Sequence, residues 1–162
     1  MQPQFSIKVY KQYFNFAASH FMMFHDGSRE PLHGHNYRVL VKGDAPELKN
    51  DMVFDFLDIK PIVREICNSL DHKLILPKNN DQLKIYEQNK NFQIITKDSE
   101  FSIPKTDVLI LPINNTSAEN FAMYLAMRIQ EEVYSKHQFR FKNLEIEVEE
   151  TPGQSAVYVL QD

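Results

Sequence analysis

Two histidines separated by one glycine are the first residues of the sequence that suggest chemistry. His33 and His35 flank Gly34, and side chains two positions apart in an extended strand share a face, so two imidazoles placed in this way can chelate one metal ion. His20 closes an earlier β-like segment and would join the pair if the two segments form a hairpin. Three protein nitrogens with one open position form the usual catalytic zinc arrangement. A His-x-His spacing also arises by chance, so a metal site and a coincidental pair of histidines both stay open as interpretations.

Three further positions carry groups that could transfer protons or bind a substrate. Asp71 precedes His72, and a carboxylate beside a histidine can fix its tautomer and tune its basicity; a histidine at a helix C-terminus also interacts favourably with the helix dipole. Glu30 lies on a loop three residues before the first histidine of the pair, where it is either a base beside the metal or a solvated glutamate. Glu150 breaks the alternation of an acidic strand, which is a weak indication of a buried carboxylate.

The bulk composition excludes several classes of protein. The chain has 162 residues and a formal charge of -4, so it lacks the basic charge that attracts nucleic acids. Its one cysteine, Cys67, excludes an internal disulfide, which fits a reducing compartment. We find no apolar run of membrane-spanning length and no signal peptide. We expect a single cytoplasmic domain over residues 1–162, with the thiol packed and inert.

Periodic patterns predict an α+β scaffold for these residues. The predicted elements are β-like residues 5–19, a strand over 35–42, a helix capped by Asp58 with Pro61 in its first turn, a second helix starting near Thr116 in a capping box, and strands around 144–149 and 156–160. Residues 77–106 hold short β-like pieces and are predicted to form an inserted hairpin between the helices. The order is therefore β-β-α-insert-α-β-β, with two helices on one face of an antiparallel sheet.

Both helices are predicted from apolar residues at helical spacing. The apolar stripes consist of Ile59, Ile62, Val63, Ile66 and Leu70 in the first helix, and Ala122, Leu125, Ile129 and Val133 in the second.

Several segments, in this order, resemble the 6-pyruvoyl-tetrahydropterin synthase family. They are Phe16–His20 and Leu32–Tyr37 with the three histidines, Asp51–Lys60 before the first helix, Leu70–Leu74 with the Asp-His pair, Thr116–Asn120 at the second helix, and Glu150–Thr151 followed by Tyr158. One such motif is weak evidence, whereas the series in family order extends over nearly the whole chain. Residues 77–106 are the part without a match.

The resemblance implies a fold, an assembly and a set of roles. The fold is the tunnelling fold (T-fold), a four-stranded antiparallel sheet with two helices in ββααββ order. Three subunits close their sheets into a barrel, and two trimers stack into a homohexamer with active sites between subunits. The implied roles are zinc ligands at His20, His33 and His35, proton transfer at Asp71 and His72, a pterin anchor at Glu150, and further substrate contacts at Thr116, Ser117 and Glu119.

One departure from the family pattern bears on the reaction. Most members carry a catalytic cysteine in the loop before the His-x-His, whereas here that loop has no cysteine and Glu30 lies near its place. This resembles a minority branch that cleaves the side chain of 7,8-dihydroneopterin triphosphate to 6-hydroxymethyl-7,8-dihydropterin for folate. The alternatives are 6-pyruvoyl-tetrahydropterin synthesis with loss of triphosphate, 6-carboxytetrahydropterin synthesis, and an inactive zinc-stabilised pterin-binding protein.

Overall fold

The main sheet is mixed and has seven strands. The computed structural model describes residues 5–162, and its elements are β1 (Phe5–Val9), β2 (Asn15–His20), β3 (His33–Ala45), α1 (Phe56–Leu70), β4 (Lys73–Pro77), β5 (Lys84–Gln88), β6 (Asn91–Ile95), β7 (Glu100–Pro104), a 3-10 turn (Lys105–Asp107), β8 (Val108–Leu111), α2 (Ala118–His137), β9 (Asn143–Thr151) and β10 (Gln154–Gln161). Strands β10, β9, β3 and β2 are antiparallel neighbours. Strands β4 and β8 extend the sheet in parallel beyond β2, and β1 pairs with the second half of β3. The predicted α+β class is confirmed, and the expected four antiparallel strands form one side of a larger mixed sheet.

The two helices share one hydrophobic core with the sheet. All nine residues of the two predicted apolar stripes are buried, and burial of each large apolar side chain contributes about 1.5–3 kcal/mol. On the sheet, Phe16 of β2 and Tyr37 of β3 are fully buried and their rings stack at 4.8 Å. Phe121 of α2 meets both rings edge-on. Within residues 5–162, neither helix has the combination of length and apolar character that crossing a bilayer requires.

The helix starts differ from the prediction by a few residues. The N-cap of α1 is Asp55, whose Oδ1 accepts a hydrogen bond of 2.8 Å from the Leu57 N–H; the predicted cap Asp58 lies inside the first turn, where a carboxylate favours the helix dipole. Pro61 consequently lies in the second turn, and the carbonyl left without its intrahelical N–H partner belongs to Leu57, which is exposed. The N-cap of α2 is Ser117, one residue after the predicted start.

The segment predicted as an inserted hairpin forms a separate three-stranded sheet. Strands β5, β6 and β7 pair antiparallel in that order. The apolar pieces around residues 92–95 and 101–103 were expected, whereas β5 has the mostly polar sequence Lys84–Gln88 and gave no signal. On β6, Ile94 joins a second hydrophobic core with Phe21, Leu74 and Leu76. The insert therefore packs against the end of the main sheet near the histidines.

Candidate metal centre and active site

Three histidines converge at one end of the helix-covered face of the main sheet. His20 ends β2, His33 begins β3, and the antiparallel register pairs them directly. His35 lies two residues further on the same face, with ring centroids 5.3 Å from His20 and 4.8 Å from His33. One ligand atom from each residue lies within 4.8 Å of the others. The hairpin therefore brings the three predicted ligands together in a cluster able to hold a metal ion.

Backbone carbonyls orient two of these rings. His20 Nδ1 lies 2.8 Å from the Thr116 carbonyl oxygen, and His33 Nδ1 lies 2.7 Å from the Pro31 carbonyl oxygen. Because a carbonyl only accepts hydrogen bonds, each Nδ1 carries the proton and each Nε2 is left with its lone pair. The Nε2 of His20 is buried and has no hydrogen-bond partner within residues 5–162. Such a donor set can hold a transition-metal ion.

The protonation state of His20 also suits a metal ligand. Burial is the main influence that lowers the pKa of His20; His33 and His35 lower it further, against the opposing effects of Thr116 and Glu150. Since only the neutral imidazole has a lone pair for a metal, a lowered pKa favours the ligating form.

Gly34 permits the close approach of the two histidine strands. A Cβ atom at this position would lie 3.1 Å from the carbonyl oxygen of Ala18 on β2. Any larger residue between His33 and His35 would press on the backbone of β2, so the glycine preserves the register that pairs His20 with His33.

Glu30 lies beside the histidine cluster, as its place in the sequence suggested. Its Oε2 is 3.9 Å from Nε2 of His33. Two hydrogen bonds join Glu30 to Met22. The Glu30 N–H donates to the Met22 carbonyl at 3.0 Å, and the Met22 N–H donates to Glu30 Oε2 at 3.2 Å. The carboxylate is partly exposed and can therefore reach a bound substrate.

Glu150 occupies a β-bulge in β9. The pairing with β10 changes from Glu149 opposite Ser155 to Thr151 opposite Gln154, which leaves Glu150 as the extra residue. A bulge redirects a side chain from the face that strict alternation would give it. This is the structural reason for the break in alternation that the sequence shows at this position.

The bulge directs the Glu150 carboxylate at the histidines. Its Oε1 lies 3.4 Å from His35 Nε2 and 3.7 Å from His20 Nε2, while Oε2 accepts a hydrogen bond of 3.2 Å from Gln154. Two carboxylates, Glu30 and Glu150, therefore adjoin the cluster.

Asp71 and His72 form a pair at the C-terminal end of α1. Asp71 caps the C-terminus of α1; its Oδ1 accepts from the Ala17 N–H at 2.7 Å and its Oδ2 lies 2.8 Å from His72 Nδ1. Burial acts to raise the pKa of Asp71, but the hydrogen bonds from Ala17 and His72 hold it below its usual value. Within residues 5–162 no hydrogen bond or ion pair joins this pair to the three histidines, and His72 is 83% exposed.

The remaining predicted substrate residues lie at the start of α2. Thr116 is fully buried, and its hydroxyl donates to the Phe21 carbonyl at 3.0 Å. The Ser117 hydroxyl accepts from the Asn120 N–H at 3.2 Å as the helix cap, and Glu119 is exposed. Their substrate roles stay predictions.

Two site features escaped the sequence interpretation. Tyr37 is buried 5.5 Å from the ring of His35, and its hydroxyl has no hydrogen-bond partner within residues 5–162. Burial, with smaller effects from Glu150 and Glu30, raises the pKa of Tyr37, so its hydroxyl keeps its proton. The one sequence signal for the closeness of Tyr37 to the histidines is its position two residues after His35, on the same face of the strand. The second feature is the Thr116 carbonyl, which has no sequence signal because every residue carries one.

The sole thiol takes no part in this site. Cys67 is fully buried in α1, and burial, with a smaller effect from Asp71, raises its pKa to about 12. A thiol that stays protonated and inaccessible is a poor base and nucleophile; the expectation of a packed cysteine is confirmed.

Comparison with solved structures identifies the fold. Plasmodium vivax 6-pyruvoyltetrahydropterin synthase is 35% identical over 99% of both chains, with a TM-score of 0.90. The Plasmodium falciparum 6-pyruvoyl tetrahydropterin synthase is also 35% identical, over 98% of this chain and 99% of that one, with a TM-score of 0.90. In two further vivax structures a glutamate described as a catalytic residue is replaced, by alanine in one and by cysteine in the other. The T-fold expected from the resemblance is confirmed.

Sequence comparison gives the family. A Methanocaldococcus jannaschii protein, provisionally named 6-carboxy-5,6,7,8-tetrahydropterin synthase, is 38% identical over 146 residues, which cover 88% of each chain. The family model described as 6-pyruvoyl tetrahydropterin synthase matches residues 8–161. This chain therefore belongs to the 6-pyruvoyl tetrahydropterin synthase family.

Proposed function

We propose that this chain is a zinc-dependent lyase that cleaves the side chain of 7,8-dihydroneopterin triphosphate and forms 6-hydroxymethyl-7,8-dihydropterin. The observation that carries the proposal is the Glu30 carboxylate, 3.9 Å from Nε2 of His33, in a site without an accessible thiol. A carboxylate suits removal of a proton from a hydroxyl group. Formation of the pyruvoyl product requires removal of a proton from carbon, for which a thiolate is the better base.

His20, His33 and His35 would hold the zinc ion through their ring nitrogens. The fit is supported by the buried, unpartnered Nε2 of His20 and by the carbonyls that engage Nδ1 of His20 and of His33. When bound, zinc acidifies hydroxyl groups by acting as a Lewis acid.

The chain's own residues would move the protons of the cleavage. Glu30 takes the proton from the C2′ hydroxyl, whose electron pair becomes the C2′ carbonyl as the C1′–C2′ bond breaks. The electron pair of that bond passes to C1′, where the adjoining imine of the dihydropterin ring delocalises it. A proton from His72, held by Asp71, completes the hydroxymethyl group at C1′. The released fragment is the triphosphate ester of glycolaldehyde.

Glu150 would anchor the pterin by accepting N–H hydrogen bonds from its amino-pyrimidinone edge. In the structure its Oε1 faces His35 and His20 instead, so binding requires this side chain to turn toward the ring. Thr116, Ser117 and Glu119 are the further substrate contacts that we propose. Of these three residues Glu119 is exposed, and its carboxylate can accept hydrogen bonds from N–H groups.

We propose a homohexamer with active sites between subunits. The exposure of His72 supports this arrangement, because an exposed side chain is available to the site of a neighbouring subunit. The edge strands β10 and β8 also leave backbone hydrogen-bonding groups that closure of three sheets into a barrel would satisfy.

A second reaction, 6-carboxytetrahydropterin synthesis, is favoured by the name of the Methanocaldococcus jannaschii relative. Incubation of the zinc-loaded protein with 7,8-dihydroneopterin triphosphate, followed by chromatographic separation of the pterins, distinguishes the reactions. The hydroxymethyl product supports our proposal, and either the carboxy or the pyruvoyl product replaces it. Zinc and pterin binding without turnover would instead identify a binding protein.

A further inference from the structure

The loop that carries Glu30 is fastened to the three-stranded insert. Residues 21–32 connect β2 to β3, and their outer part contacts the insert and the segment before it. The Gln82 side-chain amide donates to the His25 carbonyl at 2.9 Å, and Lys97 Nζ lies 3.4 Å from the Asp26 carbonyl oxygen. The insert thus adjoins the proposed base rather than projecting into solvent away from the site.

Arg29, the residue before Glu30, makes the most specific contact between the loop and the insert. Its guanidinium carbon lies 4.8 Å from the ring centre of Phe101 on β7 and 5.3 Å from that of Phe21, and the two rings stack on each other at 5.3 Å. Its Nε donates to Ser99 Oγ at 2.7 Å. Stacking and hydrogen bonding together fix the plane of the guanidinium group.

The same guanidinium group also holds the backbone of the catalytic loop. Arg29 Nη1 donates to the carbonyl oxygen of Glu30 at 2.9 Å. Ser99, which receives the Nε hydrogen bond, is itself fixed in the β6–β7 turn by Thr96, since the two hydroxyls lie 2.7 Å apart and the Ser99 N–H donates to Thr96 Oγ1 at 3.1 Å. A continuous series of contacts therefore leads from the insert to the peptide unit of Glu30.

We infer that Arg29 is a positioning residue for Glu30, and that the insert serves as the support against which Arg29 holds it. The inference rests on the proposed function, in which Glu30 is the base. Neither Glu30 contact with Met22 restrains the Glu30 carbonyl, which Arg29 binds. A shift of about 1 Å in a reacting group can cost on the order of 100-fold in rate, so this restraint affects catalysis without touching the substrate.

The test is the substitution Arg29→Gln, with Arg140→Gln as the matched control. Arg140 also stacks on an aromatic ring, 4.2 Å from the centre of Tyr134 near the far end of α2. We expect Arg29→Gln to lower kcat by about 10–100-fold while KM and zinc content stay unchanged, and Arg140→Gln to alter none of them. Ser99→Ala, which removes only the Nε acceptor, should show a smaller decrease of the same kind.

A double-mutant cycle shows whether Arg29 acts through Glu30. In the Glu30→Ala background, Arg29→Gln should lower kcat no further, whereas a full additional decrease would overturn the inference. A raised KM with kcat unchanged would also overturn it, because Arg29 would then contact the substrate triphosphate directly. If Glu30→Ala alone keeps the wild-type rate, the proposed function fails; if it does not, and Arg29→Gln keeps the wild-type kcat, only this inference fails.

Hydrogen exchange gives a readout independent of activity. We expect the amides of residues 22–30 to exchange faster in Arg29→Gln than in the wild type, with the rest of the chain unchanged. Unchanged exchange in this loop would show that Arg29 does not hold it and would overturn the inference. General unfolding of the Arg29 variant is distinguished by fast exchange everywhere, and Ser99→Ala then decides the question by the same loop amides.

Discussion

His20 Nδ1 lies 2.8 Å from the carbonyl oxygen of Thr116, although the two residues are 96 positions apart in the sequence. The contact leaves the buried Nε2 of His20 on the side of the other two histidines. His33 obtains the same orientation locally, from a carbonyl two residues before it. The ring orientation of His33 is therefore fixed by a local turn. That of His20 is fixed by the segment that leads into α2.

Removal of either ligand from β3 should remove most of the metal. We expect the wild type to bind one zinc ion per chain, and His33→Ala and His35→Ala to lose most of it, because two protein nitrogens hold zinc far more weakly than three. Elemental analysis and competition with a zinc indicator measure this. His25→Ala, which removes an exposed loop histidine outside the cluster, is the control. A wild-type protein that neither contains a transition metal nor responds to zinc would refute the metal centre.

The Asp71 contacts predict a stability contribution that disappears in acid. The folded pKa of Asp71 lies below the unfolded value of about 3.9, so as pH falls the unfolded chain takes up this proton first. The contribution is therefore complete above the unfolded pKa and is lost as pH falls through the folded pKa.

Urea unfolding of the wild type and Asp71→Asn at fixed protein concentration tests this expectation. The wild type should be the more stable protein at pH 5–7, and the difference should shrink below about pH 4. Asp81→Asn, at an exposed loop aspartate, is the control variant. A difference that grows as pH falls would contradict the assigned direction of the Asp71 pKa.

Active sites shared between subunits should allow complementation. His35→Ala and His72→Ala are each expected to be inactive as homo-oligomers, since one lacks a proposed metal ligand and the other lacks the proposed proton donor. Mixed oligomers formed by joint refolding should regain part of the activity, because some sites then combine an intact cluster with an intact His72. Light scattering should report a trimer or hexamer. A stable monomer, or mixtures that stay inactive despite subunit exchange, would contradict the shared site.

Glu150→Gln should weaken pterin binding and leave zinc in place. The amide replaces one acceptor oxygen with a donor at constant size, which should cost roughly 2–4 kcal/mol in binding a pterin edge. Titration with a pterin product measures the affinity, and Glu145→Gln, at a carboxylate paired with surface Lys42, is the control. Loss of zinc instead would show that Glu150 acts as a metal ligand, in line with its 3.4 Å distance from His35 Nε2. Unchanged pterin affinity in Glu150→Gln would show that Glu150 is not the pterin anchor.

The helix-covered core and the histidine hairpin could be predicted because local periodicity encodes them. Alternation along β3 places His33, His35 and Tyr37 on one face, and the apolar stripes of α1 and α2 are visible at helical spacing. The cap of α1 was predicted three residues late because Asp55 and Asp58 are both good N-cap residues, and the helix begins after the earlier one.

The remaining features depend on contacts distant in sequence. Strand β5 is polar because only one of its faces packs, which gives too few apolar residues for a pattern. The parallel pairing of β4 with β2 and β8 has no local signature, since it arises from the crossover through α1 and the insert. The bulge at Glu150 was visible as broken alternation, but its direction toward His35 was not.

The choice of reaction depends on Glu30, and four substitutions at this position separate its roles. Glu30→Gln keeps an oxygen that can accept the Met22 N–H, so it should preserve the loop and the zinc while removing the base. Loss of a general base typically lowers the rate by a factor of ~10²–10⁴. We expect Glu30→Gln and Glu30→Ala to lower kcat by a factor in that range. Steady-state measurement of product formation gives kcat, and the zinc content is determined in parallel.

Glu30→Cys should change the product rather than only the rate. It places a thiol near the position where most family members have their cysteine, and a thiolate is the better base for a C–H proton. The chromatogram should therefore shift from the hydroxymethyl compound toward 6-pyruvoyl-tetrahydropterin, whereas Glu30→Ser, with a poor base of similar size, should lose activity without this shift. If Glu30 is merely solvated and the Asp71–His72 pair performs all proton transfer, Glu30→Ala would run at the wild-type rate with the wild-type product ratio. Such a result would remove the chemical reason for cleavage, because Glu30 is the group that would take the C2′ hydroxyl proton.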